Sequence, residues 1–206
     1  MQRRIGSAWL LAAVLGACGV VAGGCSIIDR ISRTLNPPPG IKALGDRKVV
    51  VLPFAPLSVR QVEPNLEREL ASALIVDMQQ VFPDASFVPA EALHVWQAKN
   101  ADWRGMLTPE IGKAFGADMV LEINVFRFRT RDRPGGMVQQ GELGWEARVV
   151  KVDTGQRLWQ MGQARVRWPD TPEHFINDIS DDTVKANVIH RFVEKFVLYF
   201  VETFKG

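Results

Sequence analysis

The residues that could do chemistry are few and scattered along the chain. No two histidines have the sequence spacing of metal ligands; the histidines are His94, His174 and His190. One acidic cluster could hold a divalent cation, because Asp178 follows His174 by one helical turn and Asp181 and Asp182 come next. A solvated acidic segment before a helix would have the same composition. The chain contains no Gly-x-Ser-x-Gly elbow, no phosphate-binding loop and no Gly-x-Gly-x-x-Gly. We therefore expect no catalytic residue, no metal and no cofactor.

Both cysteines lie in an N-terminal segment that has the features of an export signal. Arg3 and Arg4 precede an apolar, small-residue stretch that ends at Gly23-Gly24-Cys25. This pattern resembles a bacterial lipoprotein signal, in which the cysteine becomes the acylated N-terminus and carries chains such as palmitate. We predict lipidation at Cys25, with Cys18 as the alternative site and an uncleaved signal anchor as the other interpretation. Because Ser26 follows Cys25 instead of Asp, the resemblance implies the outer membrane, facing the periplasm.

Four arginines alternate with other residues near the middle of the chain: Arg127, Arg129, Arg131 and Arg133. Period-two alternation predicts that they share one face or edge of a sheet and that Phe126 and Phe128 point to the other side. The arginines have odd residue numbers, as do Val125 and the apolar residues before it, so a regular strand would place all of them on one face. We therefore expect a β-bulge or a strand end near Val125. The strip fits edge protection, or binding of an anionic partner: an acidic protein patch, a neighbouring subunit or an envelope polymer. Export argues against nucleic acid.

The C-terminal segment predicts an amphipathic helix with an unusually wide apolar stripe. Apolar residues recur every four positions at Val188, Phe192, Phe196, Phe200 and Phe204, with further valines beside them. Burial against a sheet accounts for most of this stripe. Its width over the last turns suggests that Phe200 or Phe204 also contributes to a protomer or partner interface, while contact with a membrane is a third interpretation.

Composition limits the function classes further. The chain has 206 residues, of which 47% are hydrophobic and 23% charged, as in globular domains. Its 25 Lys and Arg exceed its 23 Asp and Glu by 2, and Arg3 and Arg4 supply that excess. A neutral mature chain has no general attraction for nucleic acid or anionic membranes.

The elements that must position these residues follow an alternating order. Apolar runs predict strands at 48–54, 86–88, 119–131, 142–152 and 157–168, and periodic segments predict helices from Pro64, Pro89, Thr108 and Thr183. We predict an α/β (α+β) fold with a mixed sheet of about five strands in the order β-α-β-α-α-β-β-β-α and helices packed on it. The expected organisation is a signal peptide over 1–24, a lipidated Cys and Pro-rich tether over 25–46, and one periplasmic domain over 47–206.

Three segments in this order carry a family resemblance. They are Val49–Phe54 (VVVLPF), Gly116–Leu121 (GADMVL) and Val150–Trp159 (VKVDTGQRLW). The set resembles an envelope lipoprotein superfamily that includes the TolB N-terminal domain, CsgG and LpoB, although the last segment has a shortened turn. The resemblance implies a non-enzymatic scaffold, assembly factor or partner-binding module, with ring formation as one mode. The alternative is an LpoB-like activator of a peptidoglycan-synthesis enzyme, and less favoured is a metal- or small-molecule-dependent enzyme. The hairpin loops are too short for a CsgG-like pore.

Overall fold

A five-stranded mixed sheet forms the framework of the domain. The computed structural model describes residues 44–131, 139–170 and 179–203. The strands are β1 (Lys48–Phe54), β2 (Ser86–Phe87), β3 (Met119–Arg129), β4 (Gly141–Lys151) and β5 (Arg157–Trp168). Their order across the sheet is β2-β1-β3-β4-β5, with β1 parallel to both of its neighbours. The last three strands form an antiparallel meander. The predicted fold class is confirmed.

The described residues form five α-helices, which lie between and after the strands. They are α1 (Leu57–Val62), α2 (Leu66–Val81), α3 (Ala90–Lys99), α4 (Thr108–Ala114) and α5 (Asp181–Thr203). The short helix α1 is absent from the predicted order, because only Val59 in it is buried and its apolar residues show no periodic stripe. None of the helices among the described residues has the length and hydropathy of a membrane span.

The core lies on both faces of the sheet, as the continuously buried residues of β1 require. On one face, α2 and α5 cover the sheet, and Trp145 of β4 packs edge-on against Phe192 of α5 with ring centroids 4.9 Å apart. On the other face, α3 and α4 cover mainly β1 and the start of β3, where Leu93 and Ile111 join Val50 and Val120 in a second cluster. The rest of this second face, over the C-terminal half of β3 and its neighbours β4 and β5, carries charged side chains.

Helix α5 has its wide apolar stripe in the core. Phe192, Phe196 and Phe200 are all buried against the sheet. Phe200 is 1% exposed and packs on Trp159 and Phe82, with ring centroids 4.8 and 5.7 Å away. An interface residue must be exposed in the protomer, so this burial argues against the predicted interface role of Phe200. Phe204 lies outside the described residues.

Candidate functional site: an arginine face on the open side of the sheet

A β-bulge at Phe126 decides which way the arginines of β3 point. Val125 pairs with Trp145, but the next pair joins Arg127 to Gly144, so one extra residue is inserted in β3. Trp145 faces α5, so Val125 does too. The inserted residue shifts the alternation by one position and turns Arg127 and Arg129 to the open face of the sheet. The break expected near Val125 is thus confirmed.

The two phenylalanines of this segment point to opposite faces. Phe128 pairs with the buried Leu143 and shares its side of the sheet. The ring of Phe126 occupies the space that a Cβ at Gly144 would need. Because Gly144 pairs with Arg127, the Phe126 ring lies on the same face of the sheet as Arg127. The prediction that both rings lie opposite the arginines is therefore wrong for Phe126, because the bulge places two consecutive side chains on one face. The Phe126 ring remains 39% exposed.

Strand β5 brings two further arginines to the same face. Arg165 pairs with Gly144 and Arg167 with Glu142, in the register that links β5 to β4. The backbone at Arg165 is also tied to α5, since the Lys195 ammonium donates to the Arg165 carbonyl over 2.9 Å. These arginines alternate with Ala164 and Val166 in the sequence. Only the strand register shows that they join the arginines of β3.

Glu142 lies at the centre of the cluster and is 1% exposed. Its Oε2 is 2.7 Å from a terminal nitrogen of Arg129 and 3.0 Å from Nε of Arg127. Its Oε1 is 3.5 Å from Arg165 and 3.7 Å from Arg167. We call these four guanidiniums, with Glu142 between them, the arginine face.

The contacts within the arginine face are electrostatic more than directional. Neither oxygen of Glu142 has a well-aligned hydrogen bond, even though nitrogens approach within 2.7 Å, and the buried Nε of Arg129 donates to no acceptor among the described residues. A buried carboxylate of this kind needs opposite charge close by. Each guanidinium has five N–H donors. The four guanidiniums therefore offer far more donors than the single carboxylate of Glu142 can accept.

A second buried carboxylate on the same face accepts hydrogen bonds at both of its oxygens. Glu122 accepts hydrogen bonds from the Thr108 hydroxyl at 2.6 Å, from Arg148 at 2.9 Å and from the Asn124 amide at 3.2 Å. These bonds tie α4 to the sheet and engage Arg148. The Thr108 hydroxyl thus bonds to the sheet, while Glu110 caps the helix by accepting from the Leu107 N–H at 2.8 Å.

Of the other two arginines predicted for this surface, Arg131 lies among the described residues and pairs with an acidic residue outside the cluster. Arg131 forms an ion pair with Asp181 at the start of α5, with Nε 3.2 Å from Oδ1. Arg133 lies outside the described residues, as do both candidate lipidation sites, Cys18 and Cys25, and two of the acidic-cluster residues. The structure therefore brings together two of the four predicted arginines and adds Arg165, Arg167 and Glu142.

A groove runs between α2 and α5 among the described residues. It has a volume of about 830 Å³ and is lined by Val76, Asp77, Lys185 and His190, among others. Burial, and to a smaller extent Glu194, raises the pKa of Asp77, while His190 opposes the shift. Burial alone would lower the pKa of Lys185, but its bonds to Glu63 and Glu69 raise it. No group of three or more potential metal ligands occurs among the described residues.

Comparison with known proteins shows only distant structural likeness. No protein-family model and no curated protein matches the sequence. Among solved structures, lipoprotein GNA1162 from Neisseria meningitidis is 18% identical with a TM-score of 0.47, covering 73% of this chain and 98% of that one. The PelC dodecamer from Paraburkholderia phytofirmans is 17% identical, TM-score 0.42, covering 73% and 86%. The LpoB C-terminal domain from Escherichia coli is 13% identical, TM-score 0.34, covering 68% and 94%. With TM-scores below 0.5, these likenesses carry no inference about activity.

Proposed function

We propose that this chain is an exported, lipid-anchored envelope protein that acts by binding a partner and not by catalysis. The observation that supports binding is the arginine face: four guanidiniums lie on an open part of the sheet around one buried carboxylate. This arrangement forms a cationic surface in which four guanidiniums surround the carboxylate of Glu142. Such a surface recognises negative charge and fixes the orientation of what it binds.

Anchoring follows from the N-terminal segment of the sequence. A diacylated and N-acylated cysteine at position 25 would hold the protein stably at a membrane, since each buried methylene of its acyl chains contributes about 0.8 kcal/mol. The residues that follow Cys25, with three consecutive prolines at 37–39, would extend the domain away from that surface. Ser26 supports placement in the outer membrane on the periplasmic side. The role we assign is a scaffold or assembly factor that captures its partner from this position.

Two substitutions test the anchor. We expect Cys25→Ser to release the chain from the membrane fraction and to abolish incorporation of labelled palmitate, while Cys18→Ser leaves both unchanged. The reverse result would move lipidation to Cys18. Membrane retention of both variants, without palmitate incorporation in either, would contradict a lipid anchor.

A mass measurement separates the two modes of binding. Light scattering on the detergent-solubilised chain distinguishes a ring from a monomeric docking module, because a ring of identical subunits has several times the mass of one chain.

A further inference from the structure

The four arginines of the arginine face are not equivalent. Arg127 and Arg129 contact Glu142 closely, at 3.0 and 2.7 Å, and together neutralise it. Arg165 and Arg167 stand farther away, at 3.5 and 3.7 Å, and their side chains are 58% and 48% exposed. Arg127 is exposed to a similar extent, at 50%, so the distance to Glu142 is what separates the two pairs, and exposed ion pairs at the longer distance contribute little. The two guanidiniums of β5 therefore keep most of their donors available to a second anion.

We infer that the arginine face binds an acidic segment of a partner protein, with Arg165 and Arg167 as the contacting residues. This inference rests on the proposed partner-binding function and names the chemistry of that partner. The structure already shows the recognition that it requires, since the same cluster holds the carboxylate of Glu142. A guanidinium presents parallel N–H donors that match a carboxylate.

The local charge supports an acidic ligand. The four arginines carry +4, and Glu142 and Glu146, the acidic residues of β4 on this face, reduce this to +2. The chain beyond its first 24 residues is neutral, with 23 basic and 23 acidic residues. The positive charge of the arginine face is therefore a local excess, and a site of this size fits a short acidic segment better than an extended anionic surface.

The surroundings of the charges favour a protein over a membrane or a nucleic acid. The half-exposed ring of Phe126 lies over Gly144, which pairs with both Arg127 and Arg165, so an apolar contact area lies between the two arginine pairs. Polybasic membrane sites use about 4–8 cationic residues, whereas the two glutamates reduce the net charge of this face to +2, and such sites need no aromatic ring. Single-stranded nucleic acids need several aromatic rings for successive bases, and Phe126 is one.

The test measures binding of fluorescein-labelled hexaglutamate by anisotropy, with the full chain in a neutral detergent. We expect the double variant Arg165→Gln/Arg167→Gln to bind the peptide about tenfold more weakly, roughly threefold for each exposed ion pair lost. Arg157→Gln is the matched control, since Arg157 is an exposed arginine of the same strand that pairs with Val150, away from the cluster. It should bind like the wild type. Thermal melts establish that each variant is folded.

A substitution that should strengthen peptide binding provides a second measurement. Glu142→Gln removes the internal carboxylate and should strengthen peptide binding severalfold, because Arg127 and Arg129 then also face the ligand. Equal affinity of the wild type and the β5 double variant overturns the inference. Displacement of the peptide by phosphatidylglycerol in the micelles, or by oligothymidylate, at lower concentration than by unlabelled hexaglutamate overturns it in favour of lipid or nucleic acid.

Photo-crosslinking in cells separates failure of this inference from failure of the proposed function. A crosslinker at Gln160 of β5 reports on the open face, and one at Val76 reports on the groove between α2 and α5. Capture of a protein only from Val76, together with no peptide binding, refutes the acidic-segment site while a binding function stands. Loss of capture at both positions refutes the binding function itself.

Discussion

Replacement of Phe200 by alanine tests whether the end of α5 belongs to the core or to an interface. The Phe200 ring is 1% exposed, and it packs within 4.8 Å of Trp159 and 5.7 Å of Phe82, measured between ring centroids. Its removal leaves a cavity between the helix layer and β5. Phe-to-Ala changes at such sites cost about 3–5 kcal/mol. For a domain of this size each kcal/mol lowers the melting temperature by roughly 2–4 °C, so we expect a decrease of about 10 °C.

The matched control lies two residues earlier on the same helix. Leu198 is 51% exposed, so Leu198→Ala should change the melting temperature by no more than about 2 °C, as surface substitutions usually do. Thermal melts followed by circular dichroism compare the two variants, and light scattering gives the mass of each. A Phe200→Ala variant that melts like the wild type and loses self-association would refute the core assignment and restore the interface hypothesis.

Two further predictions concern the bulge and the groove. Gly144→Ala should lower the free energy of unfolding by about 1 kcal/mol, because the new Cβ displaces the Phe126 ring. Gly162→Ala should be neutral, because a Cβ at that position meets open space. Urea titration of the two variants measures the difference. Burial raises the pKa of Asp77 above its usual 3.8, so its contribution to stability is complete below that pH and is lost as the pH rises through the folded pKa. Relative to Asp77→Asn, the wild type should therefore lose stability as the pH rises above 3.8 in urea titrations, and the opposite trend would contradict this.

Local sequence patterns were sufficient to predict most of the secondary structure. β1 and β5 have the predicted bounds, because a continuous apolar run and a Gly-containing turn mark their ends. Gly116 and Gly155 have the positive φ values, 57° and 69°, that a helix end and a tight turn require. These features depend on residues close in sequence, so one sequence contains the necessary information.

The composition of the site could not be predicted in the same way. Arg127 and Arg165 are 38 residues apart, and only the pairing of β3 and β5 with β4 brings them to one carboxylate. Strand register is a non-local property that depends on which residues pack under α5. Glu142 is the first residue of a predicted strand, and nothing near it in sequence indicates that it is buried.

The bulge links the stability of the fold to the formation of the arginine face. With regular alternation after Val125, Arg127 would follow it onto the face that Trp145 and Phe192 occupy, and a guanidinium buried there would have no acidic partner. The inserted Phe126 removes that cost by turning the next arginines outward. β4 lies between β3 and β5, so a carboxylate on β4 is the one that guanidiniums from both neighbouring strands can reach. Glu142 holds that position, where it is buried between the guanidiniums of β3 and β5 and balances part of their mutual repulsion.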